Sequence, residues 1–235
     1  MPFLSSVEAS MGYGRPPNPP VAAATGGSLF FSGTSSSFLT VANDADLRMG
    51  AGDFTIEWFQ YMQSGSSFPR IFSIGTYSAQ SIACSVEGSN NTLYAWISGA
   101  NVMTNSFSSN LNKWTHVAFC RSGTSFRCFI NGTQAGSTLT NSTNFNNTTN
   151  TLCIGNESTA SAAAAYKGYI TNFRWTKGQA LYTANFTRPI APLTAGANTK
   201  LLLLASTSGT AVTDSSGVGK TVTNTGVTWN ALTPF

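Results

Sequence analysis

Residues 53–59 read Asp-Phe-Thr-Ile-Glu-Trp-Phe, which puts Phe54, Ile56 and Trp58 on one face of an extended chain and Thr55 and Glu57 on the other. That period of two recurs. Residues 81–87 carry Ile82, Cys84 and Val86 on one side, and residues 92–98 set Leu93, Ala95 and Ile97 against Tyr94 and Trp96. Gly88-Ser89-Asn90-Asn91 between them is a turn. Residues 114–121 and 125–131 make the clearest hairpin, and Asn131-Gly132 opens the next turn. Residues 151–155, 169–176, 200–205 and 221–229 complete the run, with turn chemistry every 8 to 12 residues or so. Only residues 161–166, with their alanines, fit a short helical turn. The pattern predicts an all-β chain, a two-sheet antiparallel jelly-roll sandwich over residues 27–235. Residues 1–26 differ: Arg15-Pro16-Pro17-Asn18-Pro19-Pro20 admits neither helix nor central strand. They read as an extended N-terminal arm that docks Phe3, Leu4, Tyr13 and Arg15 on a neighbouring subunit.

Composition narrows the function. Charged residues make up 9% of the 235 positions, whereas Ser, Thr and Asn number 30, 31 and 20. Sixteen Phe, seven Tyr and five Trp are too much aromatic surface for a disordered chain. The net charge of +4 rests on scattered residues, no two Lys or Arg being adjacent, so no nucleic-acid surface is expected. The longest strongly apolar run, 201–205, is far too short for membrane insertion, and the N-terminus lacks a signal-peptide pattern. Cys84, Cys120, Cys128 and Cys153 form no CxxC pair, and with a single histidine they supply no zinc site. Cys120 and Cys128 flank the hairpin out of direct register, so the cysteines read as buried free thiols. Seven N-x-[ST] sequons add nothing, because this composition yields about five by chance.

Several segments carry a family resemblance. Gly52-Asp53-Phe54-Thr55-Ile56-Glu57-Trp58-Phe59, the Trp114-Thr115-His116-Val117-Ala118 hairpin with Phe129-Ile130-Asn131-Gly132, and Tyr169-Ile170-Thr171-Asn172-Phe173-Arg174-Trp175 resemble the laminin-G-like, concanavalin-A-like jelly roll. The likeness spans about residues 28–235. Residues 177–189, Lys-Gly-Gln-Ala-Leu-Tyr-Thr-Ala-Asn-Phe-Thr-Arg-Pro, resemble the closing segment of such domains in structural and tail-fibre proteins of phages and large algal viruses. Met11-Gly12-Tyr13-Gly14-Arg15 is similar to leaders of large-virus surface proteins.

The chain offers little for turnover. Its one imidazole, His116, falls mid-strand on the face of Ala118 and Cys120 and reads as structural. The one suggestive carboxylate pair, Asp53 and Glu57, lies about 13 Å apart along a strand, beyond the spacing a glycosidase uses. No catalytic residue is assigned. Many laminin-G-like domains hold calcium at the sandwich rim, which makes Asn43, Asp44 and Asp46 a weak calcium candidate, with turn capping the more natural role. Glycan contacts are expected from aromatic and amide side chains in loops, namely Tyr77, Asn90, Asn91, Asn101 and Asn105. Trp58, Trp114 and Trp175 read as core, and the outer faces of the sheets as open. Together these point to a non-enzymatic virion structural protein at the particle surface, a decoration or fibre component. It would associate with its own copies or other virion proteins and contact host glycans. The alternative is a secreted, extracellular lectin-like adhesion module.

Overall fold

The computed structural model describes residues 26–63, 65–75, 78–87, 92–206, 208–209 and 212–235. The proposed arm contacts Phe3, Leu4, Tyr13 and Arg15 lie outside the described residues, as do Tyr77, Asn90 and Asn91. In chain order the strands are β1 (Ser28–Ser32), β2 (Phe38–Val41), β3 (Phe54–Met62), β4 (Arg70–Ile74) and β5 (Ile82–Glu87). There follow β6 (Thr92–Ile97), β7 (Ala100–Ser106), β8 (Trp114–Ser122), β9 (Ser125–Ile130) and β10 (Thr133–Thr140). The last are β11 (Leu152–Ile154), β12 (Lys167–Lys177), β13 (Thr199–Leu203), β14 (Val222–Thr225) and β15 (Thr228–Asn230). The alanine-rich segment supplies a 3-10 turn at Ala162–Ala164.

The strands form two antiparallel sheets. One runs β10-β9-β8-β3-β12-β1-β15, with β13 added to β12; the other runs β14-β2-β11-β4-β5-β6-β7. Strand β12 is long enough to pair β1 along its first half, at Leu29↔Ile170, and β13 along its second, at Trp175↔Leu201. The expected hairpin is present: β8 and β9 pair from Val117↔Ile130 to Ser122↔Ser125. Asn131 and Gly132, both at positive φ, then form the two-residue turn into β10.

The inward faces close over an aromatic core. Trp58 of β3 meets Phe72 of the opposite sheet edge-on at 5.5 Å and Phe119 at 5.6 Å, and Phe72 in turn contacts Phe173 and Trp175. Each such ring, fully withdrawn from water, contributes about 1.5–3 kcal/mol. All four cysteines are free and buried. Cys128 sits in this core, whereas Cys120 belongs to a separate cluster on the far side of its sheet, so the hairpin turns the two thiols to opposite faces.

One expectation fails here. The outer face of the larger sheet is not open. Residues 178–193, which follow β12, run back across it as a strap, with Tyr182 and Phe186 over Ala118, Cys120 and Phe129, and Leu193 and Phe235 against Phe59. Thr55, read as outward, donates to the Gln179 carbonyl and accepts from the Leu181 N–H. Strand β3 is consequently buried on both sides along most of its length.

Candidate functional site

Beneath the strap lies the densest polar chemistry of the fold. Its centre is Glu57, on the outer face of β3 and fully buried. Register alone would place Arg174 elsewhere. Between Thr171↔Phe59 and Arg174↔Glu57 strand β12 carries one extra residue, a bulge in which Asn172 adopts φ +54°. The bulge brings Arg174 opposite Glu57, and its Nε donates to Oε1 at 2.8 Å. It also frees the Asn172 side chain, whose Oδ1 accepts from the Leu193 N–H and pins the far end of the strap.

His116 comes to Glu57 diagonally from β8, and its Nε2 stands 3.0 Å from Oε2. Tyr182, from the strap, donates its hydroxyl to the same oxygen at 2.9 Å. Burial pushes the Glu57 carboxyl up, but the hydrogen bond from His116 and the charge of Arg174 outweigh it and hold the group below its ordinary value. An ionised carboxylate only accepts, so His116 Nε2 is the donor in this hydrogen bond. Its Nδ1 has no hydrogen-bond partner among the described residues. Burial and the neighbouring carboxylate raise the Tyr182 hydroxyl well above its ordinary range. These groups resemble acid–base apparatus, but Glu57 and His116 are wholly enclosed and their hydrogen bonds are directed at one another. What the arrangement does is fasten the strap to the sheet.

Two further polar centres are structural as well. Arg121, fully buried, donates to the carbonyls of Gly50, Gly52 and Thr143 and lies between the rings of Phe54 and Phe145, at 5.1 and 4.9 Å. It knits the loop before β3 to the loop after β10. The three residues of the weak calcium candidate do not share one centre. Asp44 and Asp46 do converge, but on the Lys220 ammonium, with Asp46 Oδ2 at 2.7 Å, and that hydrogen bond chiefly lowers the Asp46 carboxyl. Asn43 turns away: it accepts from Arg48 Nε and donates to the carbonyls of Asn147 and Asn150. Asp44 also caps its own turn through the Asp46 N–H.

Of the expected glycan contacts, Asn101 and Asn105 fall within the described residues, and both lie on β7 rather than in a loop. Asn101 accepts from the Met103 N–H and donates to Thr104 Oγ1 at 3.2 Å. Asn105 pairs with the inward Leu93 and is only 5% exposed, so it is not the free surface amide the sequence suggested. Its amide Nδ2 lacks a hydrogen-bond partner among the described residues. Strands β7 and β10 end the two sheets on the same side of the sandwich. Between them opens a cleft of about 220 Å³, lined by residues 102–105 and 136–139.

A two-sheet antiparallel sandwich of this topology defines a lectin-type jelly-roll domain. The chain belongs to the concanavalin A-like lectin/glucanases superfamily, through a laminin-G-type family model that matches residues 32–181. Among solved structures it is similar to a Bacteroides ovatus protein provisionally described as carbohydrate binding, with TM-score 0.67 and 14% identity over 89% of this chain. This chain spans 60% of that protein's length. It is also similar to the heptameric SAP-like pentraxin of Limulus polyphemus, with TM-score 0.56 and 16% identity over 90% of this chain and 97% of the pentraxin. At these identities the likeness is one of fold. No curated protein matches the chain.

Proposed function

We propose that this domain is a non-catalytic recognition module, displayed on a virion surface as a decoration or fibre component, where it self-associates and contacts host glycans. The observation that carries the non-catalytic reading is the state of the carboxylates. Among the described residues, Glu57 is enclosed, Glu87 pairs with Arg70, Asp44 and Asp46 pair with Lys220, Asp53 accepts the Gly123 N–H, Glu157 accepts from the Thr159 hydroxyl, and Asp214 accepts the N–H groups of Leu202, Ser216 and Lys220. A hydrolase of this superfamily needs a carboxyl group free to exchange protons with substrate. The accessible edges carry Thr, Ser, Asn and Gln instead, which suits neutral ligands and association that depends little on salt.

The virion setting rests on the likeness of residues 177–189 to viral closing segments. A secreted adhesion module is the second reading, favoured by the two similar structures, which come from a bacterium and a horseshoe crab. A glycan array with a parallel hydrolysis assay tests the central claim. Binding without cleavage is expected; cleavage that disappears on neutralising one carboxylate would overturn it. Mass in solution with and without residues 1–26 tests association through the arm, and identical monomeric masses would refute that part. Labelling of this chain on purified particles tests the setting.

A further inference from the structure

We infer that the cleft between edge strands β7 and β10 is the ligand site of this module and that it takes a single uncharged sugar ring. The inference rests on the lectin-like reading above and names the site and the ligand chemistry that reading leaves open. The first consideration is size. Pockets for drug-sized ligands run to about 300–1,000 Å³, so a cleft of about 220 Å³ admits one ring and not an extended chain. The second is charge. Among the described residues no ionisable side chain lines the cleft, so a carboxylated or sulfated sugar would lose water there and gain no counter-charge.

The third is the way the polar groups are set. Val102, Met103 and Leu139 are withdrawn toward the core and provide an apolar floor for the C–H face of a ring. Around it, Thr104 Oγ1 accepts from Asn101 Nδ2, and Thr138 Oγ1 accepts from Gln134 Nε2. Each hydroxyl accepts one hydrogen bond from within the protein and keeps its own proton to donate to a ligand oxygen. Asn105, in the cleft wall, is buried with an unpartnered amide. A buried donor without a partner is unfavourable, and a ligand hydroxyl that accepted from it would remove that cost.

The backbone is shaped around that amide. Strand β10 breaks register between Ala135 and Leu139, and Gly136 in the break has φ +73°. A Cβ at position 136 would stand 2.6 Å from Asn105 Oδ1. Only glycine allows the bulge to close on Asn105 in this way.

The test is a ¹H–¹⁵N NMR titration of the full chain with methyl glucoside, methyl galactoside, methyl mannoside and methyl N-acetylglucosaminide, with sialic acid as the charged comparison, beside a glycan array. Three variants are compared. Asn105→Leu removes the amide at similar volume and, by removing an unpaired buried polar group, is expected to keep or raise thermal stability. Thr138→Val removes a cleft hydroxyl from an exposed strand. Ile190→Ser, at an exposed position of the strap outside the cleft lining, is the control. Support is a neutral glycoside that shifts the Asn105 side-chain and Gly136 resonances, with affinity down about tenfold or more in the first two variants and unchanged in the control. Glycoside binding that survives both cleft variants would overturn the site but leave the lectin-like reading standing. Absence of any glycan binding would overturn both. If the cleft resonances shift with protein concentration rather than with glycosides, a second copy occupies the cleft and the sugar assignment is wrong.

Discussion

Replacing Glu57 by Gln tests whether the strap is held electrostatically or by packing alone. The carboxylate receives two groups of donors: Arg174 on Oε1, and His116 with Tyr182 on Oε2. An amide of the same shape has one accepting end. If that end faces Arg174, the NH2 opposes His116 and Tyr182, which must both rearrange to accept. The Arg174 guanidinium, only 13% exposed, also loses its counter-ion, although its bond to the Thr194 carbonyl remains. Breaking one side of a buried ion pair costs about 3–5 kcal/mol; the surviving Thr194 contact puts the expected loss at the lower end, about 3 kcal/mol. For a chain of this size 1 kcal/mol moves the melting temperature by about 2–4 °C, so the variant should melt roughly 6–12 °C lower at pH 7. The pH dependence has a definite sign. The folded-state carboxyl is held below its ordinary value, so the unfolded chain binds a proton first on acidification. The Glu57 contribution is therefore whole above the ordinary carboxyl pKa and drains away as pH falls through the lower, folded value, and the variant should lack that part of the acid sensitivity. Urea denaturation at pH 7 and across the acid range measures both. A loss under about 1 kcal/mol with an unaltered acid profile would show that packing alone holds the strap.

Other substitutions probe the neighbouring claims. Gly132→Ala places a Cβ 2.0 Å from the Phe186 carbonyl at φ +83°, so it should lift the strap and open residues 178–193 to limited proteolysis at unchanged sheet content by circular dichroism. Arg121→Lys keeps the charge but not the fork that reaches three carbonyls, and should cost about 2–4 kcal/mol in chemical denaturation. Burial pushes the thiols of Cys120 and Cys153 up to about 12, so Ellman's reagent should find no reactive thiol among the four at pH 8 until the protein unfolds. Because Lys220 occupies the Asp44–Asp46 pair, millimolar calcium should leave the melting temperature unchanged.

Strand alternation was legible where one face is apolar and the other polar. The inward set Phe54, Ile56 and Trp58 is buried as read, and residues 92–98 alternate as expected about Tyr94 and Trp96. Strands β4, β7 and β10 have no such signature. The first is buried along its whole length, and the other two are edges whose Thr, Ser and Asn look like any loop in this chain. The site was harder to read. Glu57 was read on the face opposite Phe54, Ile56 and Trp58, and His116 on the face of Ala118 and Cys120, as the structure has them, yet their pairing depends on the β3–β8 register, and the partnership with Arg174 on a bulge no periodicity announces. Positive φ at Asn172 is the only local mark, and Asn is one of the residues that tolerates it. The strap was visible as a motif but not as a cover, since Tyr182 and Phe186 stand four apart in a segment without a strand period.

The terminal strands have a temporal consequence. Strand β15 flanks β1 and β14 flanks β2, so the opening segments of each sheet find those neighbours only once residues 222–230 have been synthesised. The strap that shields Glu57 also leaves the ribosome well after β3 and β8. During translation, an early hairpin such as β8–β9 can form promptly, but these margins of the two sheets stay unsealed until residues 222–230 emerge. A nascent chain stalled shortly before residue 222 would thus present bare hydrogen-bonding margins, and holding it apart from its neighbours would fall to whatever chaperones the producing cell supplies.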